Sequence, residues 1–162
     1  MRRWLLLLGL VALPAWGGEG VALIGPGGNE TVLQPSEGEM LLLHFWATWC
    51  PTCAEDIDNL QRAAAACPEA PLRVIAVNVG EADADVAEFV NKRGVWLPVF
   101  RDPRGRVWRE IDGRGLPVNL FWTQESRRTD VGSKTAEEWR SQLAAFGCED
   151  PSGPLGPEDL GS

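Results

Sequence analysis

The chain has 162 residues, 44% of them hydrophobic and 23% charged, with 18 glycines, 12 prolines, 4 cysteines and 8 tryptophans. That length suits one ordinary domain of the ~100 to 200 residues a single core takes. A formal charge of −8, with no basic cluster interleaved with aromatics, excludes a nucleic-acid-binding role.

The first segment, Met1 to Gly17 (MRRWLLLLGLVALPAWG), has two arginines, an apolar stretch from Trp4 to Leu13 and small residues at Ala15 and Gly17. This is the pattern of a secretory signal peptide cleaved after Gly17, and the apolar run is short for the ~18 or more residues of a spanning helix. The other reading is an uncleaved N-terminal anchor. Removing the segment leaves the remainder more acidic still and places it outside the cytosol, periplasmic or otherwise secreted, where disulfides persist.

Val21 to Thr31 is glycine-rich between short apolar runs and reads as a small hairpin or an extended arm. Met40 to Trp46 (MLLLHFW) is nearly continuous in apolar residues, as a central strand buried on both faces is. From Pro51 the period becomes helical, with Ile57, Leu60, Ala64 and Cys67 on one face, and Pro68 closes the segment. Leu72 to Val79 reads as a second buried strand, Asp85 to Arg93 as a helix ended by Gly94, and Leu97 to Arg101 as a short strand weakened by Pro98. Val107 to Ile111 makes one or two helical turns, Val118 to Thr123 a strand, and Thr129 to Gly132 its short partner. The last helix starts at a capping box, Thr135 with Glu138, and ends at Gly147. Glu149 to Ser162 is acidic, rich in Pro and Gly and expected to be disordered. The domain therefore spans 18–148, and the element order argues for a three-layer α/β sandwich.

Chemistry concentrates at Trp49-Cys50-Pro51-Thr52-Cys53, where a buried strand gives way to a helix. A bare C-x-x-C is also half a zinc site, but His44, Cys67 and Cys148 stand at no metal-site spacing from the pair, so no metal is expected. A redox pair needs no further ligand and no cofactor. Unsatisfied N–H groups at a helix N-terminus stabilise a thiolate on Cys50, the expected nucleophile, and Cys53, one turn on, is the expected resolving thiol.

The stretch HFWATWCPTC, the run before it from Gly38 to Leu43, and Val77 to Glu81 (VNVGE) resemble the thioredoxin superfamily. More narrowly they resemble its secreted TlpA/ResA/CcmG-like thiol-disulfide oxidoreductases. The resemblance implies a thioredoxin-like α/β/α sandwich with a mixed central sheet. It also places Pro117, in Arg114-Gly115-Leu116-Pro117-Val118, at the family's cis proline, where the preceding backbone pairs with an extended substrate; a trans turn proline is the plain alternative. Trp49 is expected to shield the disulfide and contact substrate. Asp56 stands where this subgroup commonly has Glu, and either handles protons near Cys53 or complements the helix dipole. His44 stands where thioredoxins carry a buried acid; it either exchanges a proton with Cys53 or is a hydrogen-bonded core histidine. Acids at 55, 56 and 58 are expected to destabilise the Cys50 thiolate somewhat.

In such a fold the helices before Cys67 and Cys148 pack on one face and run the same way, which implies a structural Cys67–Cys148 disulfide. Two buried free thiols or a second exchange pair are the alternatives. The implied function is a protein-disulfide reductase that passes electrons from a membrane-bound thiol donor to oxidised protein substrates, with cytochrome c maturation one setting. A thiol oxidant of secreted proteins, or a binding or chaperone module without turnover, are the other readings.

Overall fold

The computed structural model describes residues 20–148. The expected signal segment and acidic tail lie outside the described residues. In chain order the elements are β1 (Val21–Ile24), β2 (Glu30–Leu33), β3 (Met40–Trp46), α1 (Pro51–Ala65), β4 (Leu72–Val79), α2 (Asp83–Arg93), β5 (Val99–Asp102), α3 (Arg106–Glu110), β6 (Val118–Trp122), β7 (Arg127–Val131) and α4 (Ala136–Ala144).

All of β3 is buried because it runs between two neighbours, parallel to β4 and antiparallel to β6, with both faces covered. Alternate side chains go to opposite sides. Leu41, Leu43 and Phe45 join the cluster that includes Val107 of α3, whereas Met40, Leu42 and Trp46 join the cluster built by α1, α2 and α4. The seven strands are ordered β2-β1-β5-β4-β3-β6-β7, so the sheet is mixed: β3, β4 and β5 are parallel and the outer strands antiparallel. Three helices cover one face and α3 the other. The segment after Gly20 is a hairpin, and it joins the sheet through Ile24 opposite Arg101.

Helix α1 starts at Cys50, the N-cap, with Pro51 in the first turn where its missing N–H costs nothing. Its buried stripe is Cys53, Asp56, Ile57, Leu60 and Ala63, a regular helical spacing that carries a carboxyl group into the core. The apolar positions used for the sequence reading place Asp56 off that face. The observed stripe is turned slightly to take in Asp56 and Ala63. Strand β5 starts one residue after Pro98, whose carbonyl accepts from Ala76 N at 3.0 Å while the ring has no N–H to give. Helix α2 closes on Gly94 in the left-handed region at φ 68°, its N–H donating to Val90 O. Thr135 and Glu138 form the capping box of α4. Beyond α1 and α4, Cys67 and Cys148 are disulfide-bonded with Cα atoms 4.9 Å apart.

Candidate active site

The C-terminal end of β3 runs into the turn Ala47–Cys50, closed by Cys50 N donating to Ala47 O at 3.2 Å, and then into α1. Cys50 and Cys53 are bonded, S–S 2.07 Å, with Cα atoms 5.3 Å apart. The two sulfurs differ in access: Cys53 is fully buried, and Cys50 retains 5% of its surface. The Cys53 N–H donates to Cys50 Sγ at 3.2 Å, so a backbone dipole of the first helical turn bears on that sulfur. Thr52 Oγ1 lies 3.6 Å from the same atom. Trp49 is 69% exposed beside it.

On the neighbouring strand, the pairing of Phe45 with Val118 puts Pro117 opposite Trp46, level with the end of β3. The Leu116–Pro117 peptide is cis, Pro117 is buried, and Pro117 O accepts from Gly132 N at 2.9 Å. Leu116 is half-buried against the cluster that contains Cys50 and Cys53.

Beneath the disulfide lies a buried polar group of residues. His44, central in β3, shares the side of Leu42 and Trp46. Its Nδ1–H donates to Asn119 Oδ1 of β6 at 2.7 Å, and Asp56 Oδ2 is 3.8 Å from Nδ1. Asp56 Oδ1 accepts twice, from Lys134 N at 2.8 Å and from Trp139 Nε1 at 2.7 Å. Asn59 Nδ2 donates to Lys134 O at 2.8 Å, and Lys134 Nζ reaches Gly132 O and Asp130 Oδ2 at 3.1 and 3.2 Å. Burial pushes the Asp56 carboxyl above the usual carboxylate range, with His44 and the Lys134 and Trp139 donors pulling it back. Burial likewise pushes the His44 imidazole below its ordinary value, against the pull of Asp56 and Asn119. Removal from water thus favours the uncharged form of each.

A second set of contacts was not legible as a site. Glu81, just past β4, accepts from Thr48 N at 2.7 Å, Thr48 Oγ1 at 2.5 Å and Asn78 Nδ2 at 2.6 Å. It pins the turn that leads to Cys50. The signal available was the stretch Val77 to Glu81, which marks a strand end without saying what the carboxylate holds. Asn119, Lys134 and Trp139 were missed for a related reason: their partners lie 75 to 83 residues away in the chain. The three acids of α1 have separate fates. Asp58 pairs with Arg93 at 2.7 Å, Asp56 is buried, and Glu55 is exposed. Among the described residues no group of three or more His, Cys, Asp or Glu side chains is placed to hold a metal ion.

A redox-type cysteine pair at a strand-to-helix junction, on a mixed sheet covered by helices, defines a thiol-disulfide oxidoreductase of thioredoxin-like fold. The family model described as "AhpC/TSA family" matches residues 21–126, and the chain belongs to that family. It is 25% identical over 122 residues to sporulation thiol-disulfide oxidoreductase A of Bacillus subtilis, covering 70% of this chain and 74% of that one. It is 28% identical over 111 residues to thiol-disulfide oxidoreductase ResA of the same organism, covering 68% and 62%. Among solved structures it is similar to a secreted Mycobacterium tuberculosis disulfide oxidoreductase homologous to E. coli DsbE, with a TM-score of 0.67, 20% identity and coverage of 78% and 96%. That likeness is one of fold.

Two outcomes follow from this geometry. Glu81→Gln puts an NH₂ group where only donors point, and is expected to cost about 2 kcal/mol in urea unfolding of the oxidised protein; no change would show that Thr48 and Asn78 find water as readily. Asp56→Asn keeps the Oδ1 acceptor and removes the ionisation. Because the folded pKa of Asp56 is raised, its favourable contribution is complete below the unfolded value of about 4 and is lost as pH rises through the folded value. The Asn variant should therefore gain on wild type as pH rises from 4. A stability difference that stays flat with pH contradicts the assignment.

Proposed function

We propose that the chain is a secreted protein-disulfide reductase, periplasmic in a two-membrane cell, in which Cys50 is the attacking and Cys53 the resolving sulfur. The observation that carries the assignment is the asymmetry of the pair: Cys50 keeps an exposed edge and receives the Cys53 N–H, and Cys53 is enclosed. In the reduced protein the Cys50 thiolate attacks one sulfur of a substrate disulfide, forming a mixed disulfide and expelling the other substrate sulfur as thiolate. The Cys53 thiol loses its proton, its sulfur attacks Cys50 Sγ, and the second substrate thiolate leaves as the Cys50–Cys53 bond closes. Two electrons have passed to the substrate. A membrane-bound dithiol donor then returns the pair to the reduced state by the same exchange in reverse order, and cytochrome c maturation is one process this would serve.

In this reading the uncharged His44 takes the Cys53 proton at its ring nitrogen without a hydrogen bond among the described residues, and the Asp56 carboxyl beside it steadies the charge that results. Asp56 is one helical turn beyond Cys53 on the same buried stripe, and His44 faces it across 3.8 Å. Trp49 and the segment ending at Pro117 flank Cys50 and contact the substrate chain. Cys67–Cys148 is the structural bridge. The secreted location rests on the Met1–Gly17 segment, and the Mycobacterium tuberculosis protein of like fold is itself secreted.

The direction is tested by the equilibrium redox potential of the Cys50–Cys53 pair in glutathione and dithiothreitol buffers. A reductase gives about −230 mV or lower, and a value near about −120 mV makes the protein an oxidant of secreted thiols. Cys53→Ser should accumulate a mixed disulfide through Cys50 with an oxidised protein substrate, detected by intact mass, and Cys50→Ser should accumulate none. Failure of the pair to turn over would favour a binding module. The paired variant Cys67→Ser/Cys148→Ser should keep disulfide turnover while losing up to about 4 kcal/mol of stability in urea, since the bridge closes a loop of sequence separation 81.

A further inference from the structure

The approach to Cys50 is bordered on one side by the turn at Trp49 and on the other by the segment Arg114–Pro117, level with the end of β3 on the adjacent strand. A polypeptide that brings a disulfide to Cys50 passes over this segment, whose Gly115 and Leu116 are only half-buried. At its end the segment is held by Gly132 N donating to Pro117 O, and in its middle by a side chain of α3. Trp108 Nε1 donates to Gly115 O at 3.2 Å, two residues before Pro117.

Trp108 is aimed there by its own supports. Asp102, buried at the end of β5, accepts from Arg106 N at 2.8 Å and from Trp108 N at 2.9 Å, which anchors α3 to the sheet. The chain then turns back at Asp112, in the left-handed region at φ 58°, and Gly113 N donates to Trp108 O at 2.9 Å. Gly113 does not have positive φ, so backbone freedom is no reason for a glycine. Space is the reason. A Cβ on Gly113 would stand 2.6 Å from Cδ1 and from Cε2 of Trp108, and closer still to Nε1. The indole lies flat against the backbone of the loop, and the missing side chain at 113 is what admits it.

From this pairing we infer that Trp108 is a positioning residue for substrate: with Gly113 it sets the height of the 114–116 backbone beside Cys50, where an extended protein substrate docks. The inference rests on the disulfide-exchange reading above and adds a residue that touches neither sulfur. It separates two kinds of substrate. A protein disulfide needs the segment, and a small disulfide reaches Cys50 without it.

The test compares reduction of insulin with reduction of 2-hydroxyethyl disulfide, both with dithiothreitol as donor. Trp108→Phe retains an aromatic ring and removes the N–H; the expected result is a rise of about fivefold in KM for insulin, the size of one lost hydrogen bond, with kcat and the small-disulfide rate unchanged. Gly113→Ala should do the same by displacing the indole. Trp108→Ala/Gly113→Ala should be no worse than Trp108→Ala, because the space for the new methyl has been vacated, and this pair decides the matter even where Gly113→Ala alone folds poorly. Unchanged insulin KM, or equal losses with both substrates in an active wild-type background, overturns the inference. A wild-type protein that reduces neither disulfide overturns the exchange reading and this inference together.

Discussion

A carboxyl group on the buried stripe of a helix must be met by donors, and the way Asp56 is met organises half the molecule. Its position three residues beyond Cys53 is set by the helix itself. Leaving it unpaired in the core would be costly, so the fold brings it a backbone N–H from the loop before α4 and an indole N–H from α4. Those two contacts tie α4 and the loop before it to α1. Asn59, one turn further along α1, repeats the link by donating to Lys134 O, and the Cys67–Cys148 bridge closes the same pair of helices at their far ends. The interface that holds the active-site helix is thus a polar seam with apolar packing around it, in which Leu60, Ala63, Trp139 and Leu143 supply the burial.

His44 completes the seam from the sheet. A histidine in the middle of a fully buried strand has two ring nitrogens to satisfy, and Asn119 serves one of them. The remaining nitrogen and Asp56 Oδ2 are both buried without a hydrogen-bond partner among the described residues. Two uncharged groups carrying spare proton-bonding capacity, side by side behind Cys53, cost stability, and such a cost is commonly met at sites where protons move.

How much of this could be read from the chain depends on whether the constraint is local. Strands β3 and β4 have the expected bounds because continuous apolar runs with both faces covered leave little choice of register. The capping box at Thr135 and the left-handed Gly94 are likewise local rules and were legible. The cysteine pair was legible because strand end, Trp49, Cys50, Pro51 and Cys53 sit within a few residues of one another. Asp56 was legible as a candidate and not as a buried one, since the helical face was taken from Ile57, Leu60, Ala64 and Cys67 and a carboxyl was not counted on it. Glu81 was legible only as part of a strand end, because the turn at Thr48 that it holds is 33 residues away. Asn119 and Lys134 were not legible at all, since each acts on a partner that only the fold brings near, nor was Trp108, which acts on a backbone whose approach depends on a glycine with an unremarkable φ.

The same distinction changes the electrostatic picture of Cys50. Counting Glu55, Asp56 and Asp58 along α1 suggests a negative field that would oppose a thiolate. In the folded protein Asp58 is matched by Arg93, whose Nε also donates to Ala54 O, and burial favours the uncharged form of Asp56. Glu55 is exposed, where water and salt screen it. The contacts at Cys50 Sγ are the Cys53 N–H at 3.2 Å and Thr52 Oγ1 at 3.6 Å, both from the first helical turn and both at short range. Charge at this site is therefore governed by the geometry of one helical turn, and the acidity of the surrounding sequence is largely spent elsewhere.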